Sequence, residues 1–266
     1  MTKLRIVCAA AALAATASGT ALADSSANVG FMSDYIFRGV YQSEATPYAG
    51  IDIEADNGFY IGTWGANVKD GLEYDLYLGY TGGGDNFEWY VGVTGYYYTD
   101  EFDDSYEELN LGFNYGFLSL DYALGNYNYP ATSFPPADNP GFTAAWDPNW
   151  AETQTYQYLG LTFEPDNAGP YYFIGYTDYK NIAVEDGANW PNGRAYNTGK
   201  SAYWLELGKN FEIMEDLELN VTGYFSPAVR QEQPPTKRSS VILNANDPTS
   251  QFALTVSITK TFHLNN

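Results

Sequence analysis

The stretch Leu72-Glu73-Tyr74-Asp75-Leu76-Tyr77-Leu78-Gly79-Tyr80 alternates between apolar and polar side chains without a break. An extended strand sends successive side chains to opposite faces. Leu72, Tyr74, Leu76, Leu78 and Tyr80 therefore share one face, and Glu73, Asp75, Tyr77 and Gly79 share the other. Strict alternation of this kind argues for a half-buried strand rather than a helix. The scheme recurs along the chain. Phe87, Trp89, Val91 and Val93 oppose Glu88, Tyr90, Gly92 and Thr94, and Leu109, Leu111, Phe113 and Tyr115 oppose Glu108, Asn110, Gly112 and Asn114. Leu118, Leu120, Tyr122 and Leu124 oppose Ser119, Asp121, Ala123 and Gly125. Near the end, Leu217, Leu219 and Val221 face away from Glu218, Asn220 and Thr222, and Phe252, Leu254, Val256 and Ile258 from Ala253, Thr255, Ser257 and Thr259.

Extending this reading predicts strands over 28–40, 47–56, 58–67, 72–81, 86–97, 106–115, 117–126, 153–163, 170–179, 201–211, 216–226 and 251–262, about twelve in all. Most exceed the ~5–6 residues of ordinary globular strands and match the ~9–11 that a tilted strand needs to cross a bilayer. The links alternate in length. After even-numbered strands they are tight: Asp56-Asn57-Gly58, the Gly82-Gly83-Gly84 region, Gly116, Pro165 to Gly169 and Glu212 to Glu215. Asn-Gly favours a hairpin because both residues tolerate positive φ. Every long link follows an odd-numbered strand: 127–152, 180–200 and 227–250, with the acidic 99–105 on the same side. Short turns at one end and long loops at the other are the pattern of a transmembrane barrel.

These features predict one all-β domain over 24–266, a transmembrane antiparallel up-and-down β-barrel of about 12 strands. The apolar face meets lipid and the polar face lines a wet lumen. Closure pairs every backbone N–H and C=O, which hydrocarbon cannot do. Tyr, Trp and Phe gather near strand ends, as aromatic girdles do. A soluble β-sandwich or lipocalin-like barrel accounts for the alternation equally well. It accounts less well for the scarcity of Lys and Arg, the long strands and the unequal links.

The first residues read as an export tag. Lys3 and Arg5 precede an apolar run from Ile6 to Ala17, and Ala21-Leu22-Ala23 fits a small-residue cleavage site, which predicts a signal peptide over 1–23. Cys8 lies inside this tag, so the mature chain has no cysteine for a disulfide, a thiolate nucleophile or a metal. The chain carries 33 acidic against 12 basic residues, net −21. That balance argues against nucleic-acid binding, which needs basic surface. The 25 Tyr, 15 Phe and 6 Trp are too many for a disordered chain.

The stretch Ser33-Asp34-Tyr35-Ile36-Phe37-Arg38-Gly39-Val40-Tyr41-Gln42-Ser43 resembles the opening signature of the TorF-type putative porin family, exported proteins of the Gram-negative outer membrane. The likeness continues through Pro47, through Gly58 to Val68, and through Glu73 to Tyr80. It implies an outer-membrane barrel termed a porin by analogy, with no established substrate. Barrels of this kind often end on an aromatic residue read by the barrel-assembly machinery. Here Phe262 is followed by His263-Leu264-Asn265-Asn266, a departure that implies either internal recognition of Phe262 or less efficient assembly.

No catalytic constellation stands out, and no enzyme activity or cofactor is expected. His263 is the sole histidine, so neither a Ser-His-Asp arrangement with a placed base nor a transition-metal site has its parts. Gly82-Gly83-Gly84 lacks the Lys and following helix of a phosphate loop. Asp100, Glu101, Asp103 and Asp104 form a candidate divalent-cation loop of hard oxygen ligands that would bridge to lipopolysaccharide, against the plain alternative of a solvated acidic loop. Arg38 is expected in the first strand, on the lumen face with Asp34 and opposite Tyr35 and Phe37, either tuning ion selectivity or clamping a carboxylate. With Asp34, Asp52, Glu54, Glu73, Asp75, Glu88 and Glu108 it forms the candidate pore lining; Asp121, Glu206 and Glu218 add to the same face. The functional expectation is a passive, cation-preferring pore for small hydrophilic solutes. The alternative is a structural barrel with a closed lumen whose long loops, notably 127–152 with its prolines and aromatics, bind a partner.

Overall fold

The computed structural model describes residues 24–69, 71–84, 87–100, 105–128, 154–165, 169–179, 201–225 and 252–264. Within them the chain forms twelve strands: β1 (Asp24–Phe37), β2 (Val40–Glu54), β3 (Phe59–Val68), β4 (Gly71–Gly84), β5 (Phe87–Tyr98), β6 (Ser105–Tyr115), β7 (Leu118–Asn128), β8 (Gln154–Phe163), β9 (Tyr171–Tyr179), β10 (Ser201–Met214), β11 (Leu217–Phe225) and β12 (Phe252–His263). Each pairs antiparallel with its sequence neighbours, and β1 pairs with β12 to close the barrel. All twelve expected strands are present. The expected signal peptide and the long links lie outside the described residues.

The two faces divide as the alternation requires. Leu76, Leu78, Val91, Val93, Leu109, Leu111, Leu161, Ile174, Leu254 and Ile258 all stand exposed on the outside. Glu73, Asp75, Glu108, Asp121, Thr162, Thr177, Glu206 and Thr222 are buried inside. A water-soluble barrel would reverse this arrangement; apolar-out, polar-in is the order that a lipid surround stabilises. At the short-turn end the outer rings form a belt: Tyr80 against Trp89, Phe87 against Phe113, Phe117 against Phe163, and Phe163 against Tyr172, with centroids 5.1 to 6.2 Å apart.

Several boundaries differ from expectation. Gly82, Gly83 and Gly84 belong to β4, paired with Trp89, Glu88 and Phe87, so the turn begins after them. Glu212 to Met214 likewise extend β10, and the turn is Glu215–Asp216 with Asp216 at φ 57. His263 lies within β12, paired with Ser26, rather than in a free tail. The largest difference concerns the first link. A single residue run through Val40 followed by a link at 41–46 was expected; instead β1 and β2 meet at a two-residue turn, Arg38–Gly39, between the paired Phe37 and Val40. Both turn residues have positive φ, 49 and 77, the geometry of a type I′ hairpin. Asn-Gly is the familiar signal for such a turn, and Arg-Gly is easily passed over.

Candidate functional site in the barrel lumen

The β1–β2 hairpin leaves the wall. The β1–β12 ladder ends at Met32–Ser257, and the β2–β3 ladder ends at Tyr48–Ala66. The β1–β2 ladder alone continues, from Met32–Thr46 to Phe37–Val40. Side chains close the two edges this exposes: the Val256 amide donates to Ser33 Oγ at 3.0 Å, and Ser43 Oγ donates to the Asn67 carbonyl at 3.0 Å. Two irregularities accompany the departure. The register shifts between Tyr35 and Ile36, and Ala45 has φ 53. An extra residue in one strand bends it and moves later side chains to the other face.

Beyond that bend the hairpin lies in the lumen and touches the strands around it. Tyr35 Oη donates to Glu73 Oε1 of β4 at 2.7 Å, and its ring packs edge-on against Trp64 of β3. The Phe37 ring packs on Tyr96 of β5 at 5.5 Å. Ile36 joins a buried cluster of Ala123, Tyr158, Tyr171, Phe173, Trp204 and Tyr224, drawn from β7 to β11. Gly39 sits on Trp204, where a Cβ would approach the ring to 2.9 Å. The loop-side half of the lumen is therefore filled by the chain's own hairpin.

Arg38 is the centre of this contact. Its guanidinium donates through both Nη atoms to both oxygens of Glu108 on β6, with the Nη2–Oε2 bond at 2.8 Å. The guanidinium carbon also stands 4.0 Å from the Tyr158 ring centroid and 4.8 Å from that of Phe37. Glu108 is held in turn by Tyr156 Oη at 2.5 Å, Tyr96 Oη at 3.1 Å and Asn110 Nδ2 at 2.9 Å. Two parallel charge-assisted bonds with aromatic faces alongside make a cage fitted to a planar cation. The flat rings need room on the wall, and glycines supply it: a Cβ on Gly175 would come within 2.2 Å of Trp204, and one on Gly125 within 2.2 Å of Tyr156.

The expected lumen residues fall into two groups. Glu73, Asp75 and Glu108 lie in the loop-side half, where Glu73 accepts from Tyr35 and Glu108 from Arg38. Glu73 and Asp75 are buried, and Asp75 lies within electrostatic range of Glu73, Glu108 and Arg38. Toward the turns, Tyr77 donates to Asp52, Thr81 Oγ1 to Glu54 at 3.3 Å, and Tyr90 Oη to Asp121 at 2.8 Å. Glu88 stands exposed at the turn end of β5, opposite Gly83. Two expectations need correcting. Arg38 is in the hairpin turn, not in the first strand, and its partner is Glu108 across the lumen rather than Asp34; Asp34 accepts from Ser33 Oγ at 2.9 Å. Tyr35 lies inside the lumen rather than away from it, because beyond Met32 the hairpin has left the wall and Tyr35 reaches Glu73 across it. Of the candidate divalent-cation loop, Asp100 is described, at φ 60, and Glu101, Asp103 and Asp104 lie outside the described residues. Among the described residues no three His, Cys, Asp or Glu side chains are grouped to hold a metal ion.

The sequence reading missed the aromatic side of the cage, Tyr158, Trp204, Phe173 and Tyr96. All four alternate inward on their strands, so the signal that marked the inner acids also marked them; what it lacks is the cross-lumen distance.

Among curated proteins, none matches the chain in sequence. Solved structures do match in shape. A chain solved in work on the in-meso crystallization of membrane proteins aligns with TM-score 0.50 at 7% identity, over 91% of this chain and 85% of its own. The NanC porin aligns with TM-score 0.45 at 8% identity, over 89% and 97%. The outer membrane protein OprD from Pseudomonas aeruginosa aligns with TM-score 0.40 at 12% identity, over 84% and 60%. At such identities the first of these shows a shared fold and nothing finer. A family model described as a bacterial protein of unknown function (Gcw_chp) matches residues 14–204, the greater part of the sequence, and the chain belongs to that family.

Proposed function

We propose that the chain is a porin-like channel of the bacterial outer membrane, passing small hydrophilic solutes by diffusion and preferring cations. One observation carries this reading: a closed barrel has an apolar outer face and an inner face whose charged groups are nearly all carboxylates. Among the described residues that face inward, Asp52, Glu54, Glu73, Asp75, Glu88, Glu108, Asp121, Glu206 and Glu218 stand against the one cation, Arg38. Rings of carboxylates favour cations over anions in a water-filled path. Removal of residues 1–23 on export, membership of a TorF-type porin group, contact of the Asp100–Asp104 loop with lipopolysaccharide through divalent ions, and recognition of Phe262 by the barrel-assembly machinery all belong to the same reading. Phe262 pairs with Ala27 and is exposed on the barrel's outside.

Planar-bilayer recording across a KCl gradient tests it. The expected result is stepwise conductance with a reversal potential displaced toward that of potassium. An absence of steps from the wild-type protein and from a variant lacking the hairpin tip, 36–41, would overturn it. A second reading has a specific observation in its favour: the hairpin fills the loop-side half of the lumen. On that reading the barrel is a closed scaffold whose loops bind a partner, neither variant conducts, and deletion of 127–152 changes partner binding rather than current.

A further inference from the structure

Across the lumen the hairpin tip meets a wall built for a cation. Glu108 offers both oxygens to a planar donor, with the Tyr158 ring face 4.0 Å from the guanidinium carbon. Tyr158 stacks on Trp204 at 6.1 Å, and Phe173 packs against Trp204 at 5.8 Å. Trp204 Nε1 donates to Glu206 Oε1 at 2.8 Å. Two further buried carboxylate oxygens in this region have no hydrogen-bond partner among the described residues, Glu206 Oε2 and Asp75 Oδ1. Glu206 is 5% exposed and Asp75 4% exposed. Burying a carboxylate without partners is costly. The Arg38 guanidinium is bonded to Glu108, while Asp75 and Glu206 each keep one buried oxygen without a partner among the described residues.

The cation that does sit there is not part of the wall. Arg38 occupies the turn of a hairpin whose outer ladders stop at Met32 and Tyr48, so the segment carrying it is tied to the barrel through its own side-chain contacts. We propose that this wall is a recognition site for small organic cations bearing a guanidinium or ammonium group, and that Arg38 fills it as a tethered ligand which such a solute displaces. The carboxylates supply charge and the rings supply the cation–π face. Because the resident ligand and the solute compete, apparent affinity is reduced by the fraction of molecules in which the hairpin is withdrawn. The inference deepens the channel reading by naming the class of solute.

The test uses the full-length protein folded in detergent, its fold verified by heat-shifted gel mobility. L-Arginine and guanidinium chloride are titrated calorimetrically, with L-citrulline as the uncharged isostere. Wild type is expected to bind arginine and not citrulline. R38Q is expected to bind it about tenfold more tightly or better, because the competitor is gone. E108Q should lose binding. Y158L, which leaves the Arg38–Glu108 pair in place, should weaken it several-fold and keeps the test open if E108Q fails to fold. Equal binding of arginine and citrulline, no gain in R38Q, or no binding by wild type would each overturn the proposal. Bilayer conductance of the same samples separates the two readings. Conductance without arginine selectivity removes this site and leaves the channel; arginine binding with no conductance in wild type or R38Q removes the channel and leaves the site.

Discussion

The two halves of the lumen are built from the same strands yet are packed in opposite ways. The loop-side half is filled: Arg38, Ile36 and Phe37 reach across to Glu108, Tyr158, Trp204 and Tyr96, and most of these side chains are buried. The turn-side half is lined by pairs that stay on the wall, Tyr77 with Asp52, Thr81 with Glu54 and Asn220 with Asn210. In the first, a planar cation bridges opposite walls. In the second, each of these hydrogen bonds joins strands that are neighbours or nearly so. The difference assigns different work to each half. A barrier made of one hairpin can be removed as a unit, whereas charges fixed along a wall act on whatever passes. On the proposed channel reading, access would be controlled on the loop side and charge preference on the turn side.

The strongest challenge to this division is E108A. It leaves the Arg38 guanidinium buried without its carboxylate, and breaking a buried pair from one side costs about 3–5 kcal/mol. Refolding in lipid vesicles and urea titration followed by tryptophan fluorescence should show a loss of that size. Bilayer recording of the folded fraction should show higher conductance than wild type. A stable variant of unchanged conductance would mean that the pair holds nothing shut.

The next effect sharpens the role of the turn. Gly39 has φ 77 and lies against the Trp204 ring, where a Cβ would come to 2.9 Å. G39A should cost about 1–2 kcal/mol for the left-handed backbone, with some displacement of the tip from Trp204. The same titration measures the first. A blue or red shift of tryptophan emission relative to a W204F control registers the second, and an emission spectrum identical to wild type would place the tip elsewhere.

How much of this was legible beforehand follows from what alternation encodes. Leu72 to Tyr80 reports which face each residue takes, so the closed sheet, the inner acids and the twelve strands were all readable. A hairpin that keeps its own ladder while dropping both outer ladders reports nothing in that code. Tyr35 to Phe37 and Val40 to Tyr41 look like more strand, and they are strand; only their pairing partners show that they have left the wall. Arg38 was singled out because a buried-face cation among acids is conspicuous. Its partner was misassigned because Asp34 is near in sequence, while Glu108 is 70 residues away and meets it only across the closed lumen.

On the turn side the expected effect is on selectivity rather than stability. D52N/E54Q removes two charges while leaving oxygen acceptors for Tyr77 and Thr81. Substitutions of this kind stay within about 0.5 kcal/mol where the hydrogen bonds persist. The reversal potential across a KCl gradient should move toward zero, with unit conductance in symmetric salt reduced less. If access and selection are truly separate, the shift in the double variant should be the same whether Arg38 is present or replaced by Gln. A shift that appears only in R38Q would show that the hairpin carries the selectivity as well.

The smallest effect concerns the rim outside both halves. Lys260 Nζ stands 3.6 Å from Asp216 Oδ2 and donates to the Glu215 carbonyl at 2.9 Å, where it spans the last short turn and β12. Both side chains of the ion pair are about one-third exposed, so water and salt screen it. K260A should cost no more than about 1 kcal/mol, as exposed pairs do, and should leave conductance, reversal potential and arginine binding unchanged. A change in any of the three would connect the rim to the lumen. Lys260 pairs with Val29 of β1 and Leu217 of β11, short of Met32 where the β1–β12 ladder stops and the hairpin departs, so such a change would have to travel along β1 itself.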